Sequence, residues 1–161
     1  MRKFFLAFAA LLILSPVFAA SKRHKKKKTA TIASPILAVN MHRTACFGRC
    51  PEYMIELSAA GMATYTGIRF VEDSGVYTKN IGAAKSMEII NELIKYRVDT
   101  CRRFYESRIE DLPGIYYIIT YKDSVKKISN ANWGPGYFKE IARKMDDIAK
   151  KPDATWKRKR K

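Results

Sequence analysis

Histidine is nearly absent from this sequence: there are two, His24 and His42, and the first lies within a run of lysines. Enzymatic chemistry needs an activated nucleophile, an acid–base pair or a metal, so this shortage removes most of the usual routes. The sequence also lacks Gly-x-Ser-x-Gly, His-Glu-x-x-His, Gly-x-x-x-x-Gly-Lys and Gly-x-Gly-x-x-Gly. No catalytic residue, resident metal or cofactor is therefore assigned. Carboxylates such as Glu52, Glu56, Glu72 and Asp73 are scattered, and single charges of this kind usually mark the solvent face of a strand. Long apolar runs are missing too. Phe4 to Leu14 is unbroken but about half the ~20 residues that a bilayer span requires.

That short run has a different reading. Arg2 and Lys3 precede it, Ser15-Pro16 ends it, and Val17-Phe18-Ala19 puts small residues where a signal peptidase cuts, so residues 1–20 read as a signal peptide cleaved after Ala19 or Ala20. No transmembrane anchor is expected after cleavage. No cysteine stands at the cleavage site, so a lipid-anchored form is unsupported. The expected location is periplasmic or secreted.

The formal net charge of +16 is unevenly spread. Lys22 to Lys28 holds six Lys or Arg, and Lys150 to Lys161 holds seven against Asp153, whereas residues 29–149 hold sixteen basic and fourteen acidic side chains. Segments 21–34 and 150–161 thus read as disordered basic tails, because dense like charge repels itself and buries no apolar area. Outside the inner membrane their anionic partners would be lipid, lipopolysaccharide or an envelope protein, met through salt-sensitive attraction, and nucleic acid is not expected. Trp156 among the C-terminal lysines suits an interfacial contact.

Residues 35–149 fit one domain. Ile36 to Arg43 alternates Leu37, Val39 and Met41 with Ala38, Asn40 and His42, and Tyr53, Ile55 and Leu57 continue that strand period. Further strands are expected over Met62 to Phe70, Gly75 to Ile81, Ile115 to Tyr121 and Val125 to Ser129. Two helices are expected: Ala83 to Arg97, with Met87, Ile90, Leu93 and Ile94 on one face, and a last one carrying Phe138, Ile141, Met145 and Ile148. The expected fold is α+β, in the order ββββ-α-ββ-α, with an antiparallel sheet and its helices on one face.

Between the first two strands lies Cys46-Phe47-Gly48-Arg49-Cys50-Pro51. In an exported protein these thiols favour a disulfide, with Gly48 available for any unusual backbone angle in so tight a ring. A thiol oxidoreductase usually has one residue fewer between its cysteines, and zinc held by His42, Cys46 and Cys50 would lack an evident fourth ligand. Cys101 reads as a small apolar residue or as the partner in a different bridge.

Arg43 to Tyr53, read as Arg-Thr-Ala-Cys-Phe-Gly-Arg-Cys-Pro-Glu-Tyr, resembles the signature of the exported domain-of-unknown-function family 6438. Gly61, Tyr65, Gly67, Gly75, Tyr77, Asp111-Leu112-Pro113 and Gly134-Pro135 extend the resemblance to about residues 40–150. It implies a small exported or lipoprotein-anchored domain and brings no established activity. The chain departs from it in its basic tails, in lacking a lipobox cysteine, and in placing Cys101 where an aromatic is expected. Arg43 and Asp111 are the motif charges expected either to pair with opposite charges or to meet an anion or partner. The leading functional expectation is a non-enzymatic domain that binds a protein or an anionic envelope polymer, its tails acting as electrostatic tethers. The alternatives are a thiol-redox or zinc site at Cys46 and Cys50, and a structural accessory domain without a ligand.

Overall fold

The computed structural model describes residues 35–107, 109, 111–150 and 155–159. The expected signal peptide and the N-terminal basic tail lie outside the described residues. The alternating segments form strands β1 (Ile36–Arg43), β2 (Glu52–Ser58), β3 (Met62–Arg69) and β4 (Gly75–Asn80), followed by helix α1 (Ala83–Lys95). Strands β5 (Ile115–Tyr121) and β6 (Val125–Ile128), a 3₁₀ turn at Ala131–Trp133, helix α2 (Tyr137–Ala149) and strand β7 (Lys157–Arg158) complete the order.

The named strands of this α+β fold pair antiparallel, in the spatial order β6-β5-β1-β2-β3-β4-β7, and a single parallel bridge joins Phe104 to Ser129. The meander β1 to β4 and the β5–β6 hairpin join where β5 pairs with β1, Met41 facing Tyr117 and Arg43 facing Ile115. One face of the sheet supplies Val39, Met41, Ile55, Leu57, Ala63, Tyr117 and Ile119 to a core closed by Ile89, Ile90 and Leu93 of α1 and Phe138, Ile141 and Met145 of α2. Burying such side chains stabilises the fold by about 1.5–3 kcal/mol each before entropy is counted.

The start of β1 departs from simple alternation. The pairing with β5 slips between Ile36 and Ala38, so Ile36 is buried and Leu37 is 46% exposed. An extra residue in one strand reverses which side chains face inward, and for that reason Leu37 does not join the core as its spacing suggests.

Helix α1 ends at Lys95, short of the expected Arg97. Arg97 takes a positive φ of 50°, its N–H bonds to the Ile94 carbonyl at 3.0 Å and that of Val98 to the Leu93 carbonyl at 3.1 Å. This pair of bonds satisfies carbonyls that the last helical turn leaves open, with buried Val98 capping the apolar face. Beyond it, Lys126 is buried and its ammonium donates to the carbonyls of Asp99 at 2.8 Å and Cys101 at 2.6 Å.

The described part of the expected 150–161 tail departs from that expectation, while residues 151–154 and 160–161 lie outside the described residues. Residues Thr155 to Lys159 run along the sheet, Tyr77 pairing with Arg158 and Thr78 with Lys157. Trp156 is 7% exposed, its ring 6.4 Å from that of Tyr65 in an edge-on contact. Charge density predicts a solvated tail only where nothing apolar opposes it. One indole buried on Tyr65 offsets the repulsion of its neighbours, and this places Trp156 in the core rather than at an interface.

Candidate functional site

The turn between β1 and β2 gathers the motif residues at one end of the sheet. The sulfurs of Cys46 and Cys50 lie at disulfide distance, with their Cα atoms 5.6 Å apart. Gly48 does not use a positive φ, so the ring closes without the backbone freedom expected of it. The Thr44 hydroxyl accepts the Gly114 N–H at 2.7 Å, the Thr44 N–H reaches the Gly114 carbonyl at 3.2 Å, and the Phe47 N–H meets the Asp111 carbonyl at 3.4 Å. Asp111 therefore touches the cysteine loop through its backbone. Phe47, at the tip, is 91% exposed.

Arg43 points to the helical face, as its strand parity with Val39 and Met41 requires. Its guanidinium makes a two-pronged contact with Asp146 of α2, Nε to Oδ1 at 3.2 Å and Nη2 to Oδ2 at 2.5 Å. The Tyr53 hydroxyl donates to the same Oδ1 at 2.5 Å. Burial acts to lower the Arg43 pKa, but the hydrogen bond and charge of Asp146 outweigh it and hold the guanidinium above its ordinary value. Burial, reinforced by Asp146, pushes the Tyr53 hydroxyl well up. With both oxygens engaged, Asp146 clamps α2 to β1 and β2 and is not left as a free base.

Arg43 and Asp111 are thus not brought together: the carboxylate that Arg43 meets is Asp146, 103 residues away. No local sequence signal points to Asp146, which lies beside apolar Met145 in a helix of ordinary pattern. Tyr53 was visible within the motif, though not in this role. On the other face of the sheet Glu52 lies 3.4 Å from His42 Nε2 and accepts from Arg69 Nε at 2.8 Å, and the Arg69 contact holds its carboxyl below the usual value. His42 is turned to Glu52, and no cluster of three metal-binding side chains occurs among the described residues. Cys101 is a free, half-buried thiol packed against the core.

Next to the clamp a cleft of about 410 Å³ is lined by residues that include Pro51, Tyr53, Tyr65, Phe70, Glu72, Asp73, Asp146 and Lys150. The Arg49 guanidinium lies 5.9 Å from the Phe70 ring centre, linking the cysteine loop to the wall of this cleft.

Signature residues outside the loop serve packing. Gly61 has a φ of 93°, and a Cβ there would come within 2.3 Å of the Gly82 backbone at the start of α1. Tyr65 is the centre of an aromatic cluster, its ring 5.7 Å from that of Tyr53, 6.3 Å from that of Tyr77 and 6.4 Å from that of Trp156. The motif is in large part the set of contacts that holds the helices and the cysteine loop to the sheet.

The family model described as Domain of unknown function (DUF6438) matches residues 37–149. No curated protein and no solved structure matches the chain.

Proposed function

Since the chain belongs to the DUF6438 family, which carries no activity with it, we propose from the geometry that it is a non-enzymatic exported domain binding an anionic envelope partner at the cysteine-loop end of its sheet. The observation that carries this reading is the course of the C-terminal segment. β4 runs away from the loop end, from Gly75 to Asn80, and β7 returns antiparallel to it, so Arg158 and Lys159 leave the sheet beside Gly75 and Val76, at the same end as Arg49 and the cleft. Arg49, Arg158 and Lys159 have no carboxylate partner among the described residues. A cation that no carboxylate neutralises stays available to an external anion, and several gathered at one end of the sheet act together.

Export is supported by the signal-like residues 1–20 and by the Cys46–Cys50 pair; no helix among the described residues is long and apolar enough to cross a membrane. Trp156 makes this tether a fixed part of the domain, a more specific arrangement than a loose basic tail. The test is binding to phosphatidylglycerol vesicles and to lipopolysaccharide at low and high salt. Reversing Arg49, Arg158 and Lys159 to Glu is expected to weaken binding at low salt by about tenfold or more. Equal binding by the reversed and native chains would sink the proposal.

A further inference from the structure

On the β5 side of the cysteine loop a second cavity, of about 290 Å³, opens between Thr44, Gly114, Tyr116, Asn130, Asn132 and Trp133. Its character differs from the rest of the molecule. In a chain of net charge +16, none of the described residues lining it is charged. Its volume lies near the lower end of the range of about 300–1,000 Å³ common for ligand sites.

The polar groups of this cavity are largely unused. The Asn130 carboxamide, the Tyr116 hydroxyl and the Trp133 indole N–H have no hydrogen-bond partner among the described residues. The Asn132 carboxamide oxygen accepts the Ile115 N–H at 3.2 Å, which fixes that side chain and leaves its NH₂ as a donor. Two backbone features keep the space in this form. Asn130 sits in the left-handed region at φ 53°, a strained position that asparagine tolerates and that is often found at ligand sites. At Gly114 a Cβ would lie 3.0 Å from both the Thr44 hydroxyl and the Tyr116 ring, so the missing side chain opens the floor.

We propose that this cavity binds one ring of a neutral saccharide. Each sugar hydroxyl both donates and accepts, which matches carboxamides and a phenol better than it matches fixed charges. The C–H faces of a sugar ring pack against aromatic carbon such as that of Trp133 and Tyr116. An anion would find no positive side chain among the described lining residues, and a purely apolar ligand would leave the carboxamides, phenol and indole N–H that it covers unpaired. The inference deepens the proposed function, on which it rests for the class of partner: a carbohydrate-bearing envelope polymer would place a neutral unit here and its anionic groups near Arg49 and Arg158.

The test is a titration of the full chain, recovered as the cell processes it, with N-acetylglucosamine trimer and with maltotriose, followed by the NMR signals of the Trp133 indole N–H and the amides of residues 114–116 and 130–133. Saturable shifts are expected with at least one trisaccharide by about 10 mM, the weak range natural to a single-ring contact. They should persist at high salt. Asn130→Gly, which keeps the backbone conformation, should weaken binding severalfold or more while leaving the remaining spectrum in place. Absence of shifts with both sugars, or unchanged affinity in Asn130→Gly, would overturn the inference. The two proposals fail separately. Vesicle binding abolished by charge reversal without any sugar response removes this site alone, and a salt-independent sugar response without vesicle binding removes the electrostatic reading alone.

Discussion

At the scale of single residues, a contact among Arg43, Tyr53 and Asp146 ties α2 to the sheet. Removing Asp146 would leave a half-buried guanidinium facing a phenol, with no carboxylate. Asp146→Ala is expected to lower the unfolding free energy by about 2 kcal/mol, below the ~3–5 of a fully buried pair because the side chains of Arg43 and Asp146 remain 25% and 23% exposed. Tyr53→Phe, which removes one hydrogen bond, should cost about 1 kcal/mol. Urea unfolding with unchanged slope would check both. Alkaline pH tests the same region. Burial raises the hydroxyls of Tyr53 and Tyr117 strongly and pushes Tyr137 up to about 12. Their folded pKa values exceed the unfolded value of about 10, so the stability gained by keeping them neutral is complete below about pH 10 and is lost as pH rises through the folded values. The urea midpoint should therefore fall steeply above about pH 10, with tyrosinate absorbance appearing together with unfolding. A midpoint flat to pH ~11.5 would contradict this. Arg43 could be singled out from the sequence because it flanks the cysteines, but its partner could not. A contact spanning most of the domain is set by how α2 lies across the sheet, and no local period records that.

At the scale of elements, strand and helix periods were legible because burial enforces them. The strands β1 and β5 have the bounds that alternation and apolar runs predict, Ile36–Arg43 and Ile115–Tyr121. The pairing of β1 with β5 was not legible, since alternation defines which face is buried and says nothing about which strand lies alongside. The slip at Leu37 was hidden for a related reason: Ile36 and Leu37 are both apolar, so pattern alone cannot choose the inward one. The end of α1 offers a direct test. Arg97 occupies the left-handed position that glycine fills at low cost, and its exposed pair with Asp99 offsets little of that strain. Arg97→Gly should raise stability by up to about 1 kcal/mol, read as a higher urea midpoint; a drop would mean that the pair matters more than the backbone. The cysteine loop contributes differently. Cys46→Ser with Cys50→Ser should cost about 2 kcal/mol, the entropy expected for so short a ring. The domain should stay folded, because Thr44 and Gly114 still hold the loop to the sheet.

For the molecule as a whole, dividing the charge by segment correctly separated basic ends from a nearly neutral middle, and yet hid the structural part of one end. Lysines and arginines outnumber the single tryptophan there, but one indole on Tyr65 outweighs them in placing the chain. Trp156→Ala should detach β7, with loss of hydrogen-exchange protection at Lys159, whose N–H bonds to the Val76 carbonyl at 2.8 Å. The cost should be at most about 3 kcal/mol, since only a two-residue strand depends on it. Unchanged protection would show that the backbone pairing holds by itself. The same strand has a consequence for solubility. Without β7, the strand β4, Gly-Val-Tyr-Thr-Lys-Asn, would present an open row of backbone donors and acceptors to any passing copy of the chain. A protein cut after Lys150 should self-associate as its concentration rises, because the docked C-terminal segment caps the sheet with two positively charged residues that discourage strand addition.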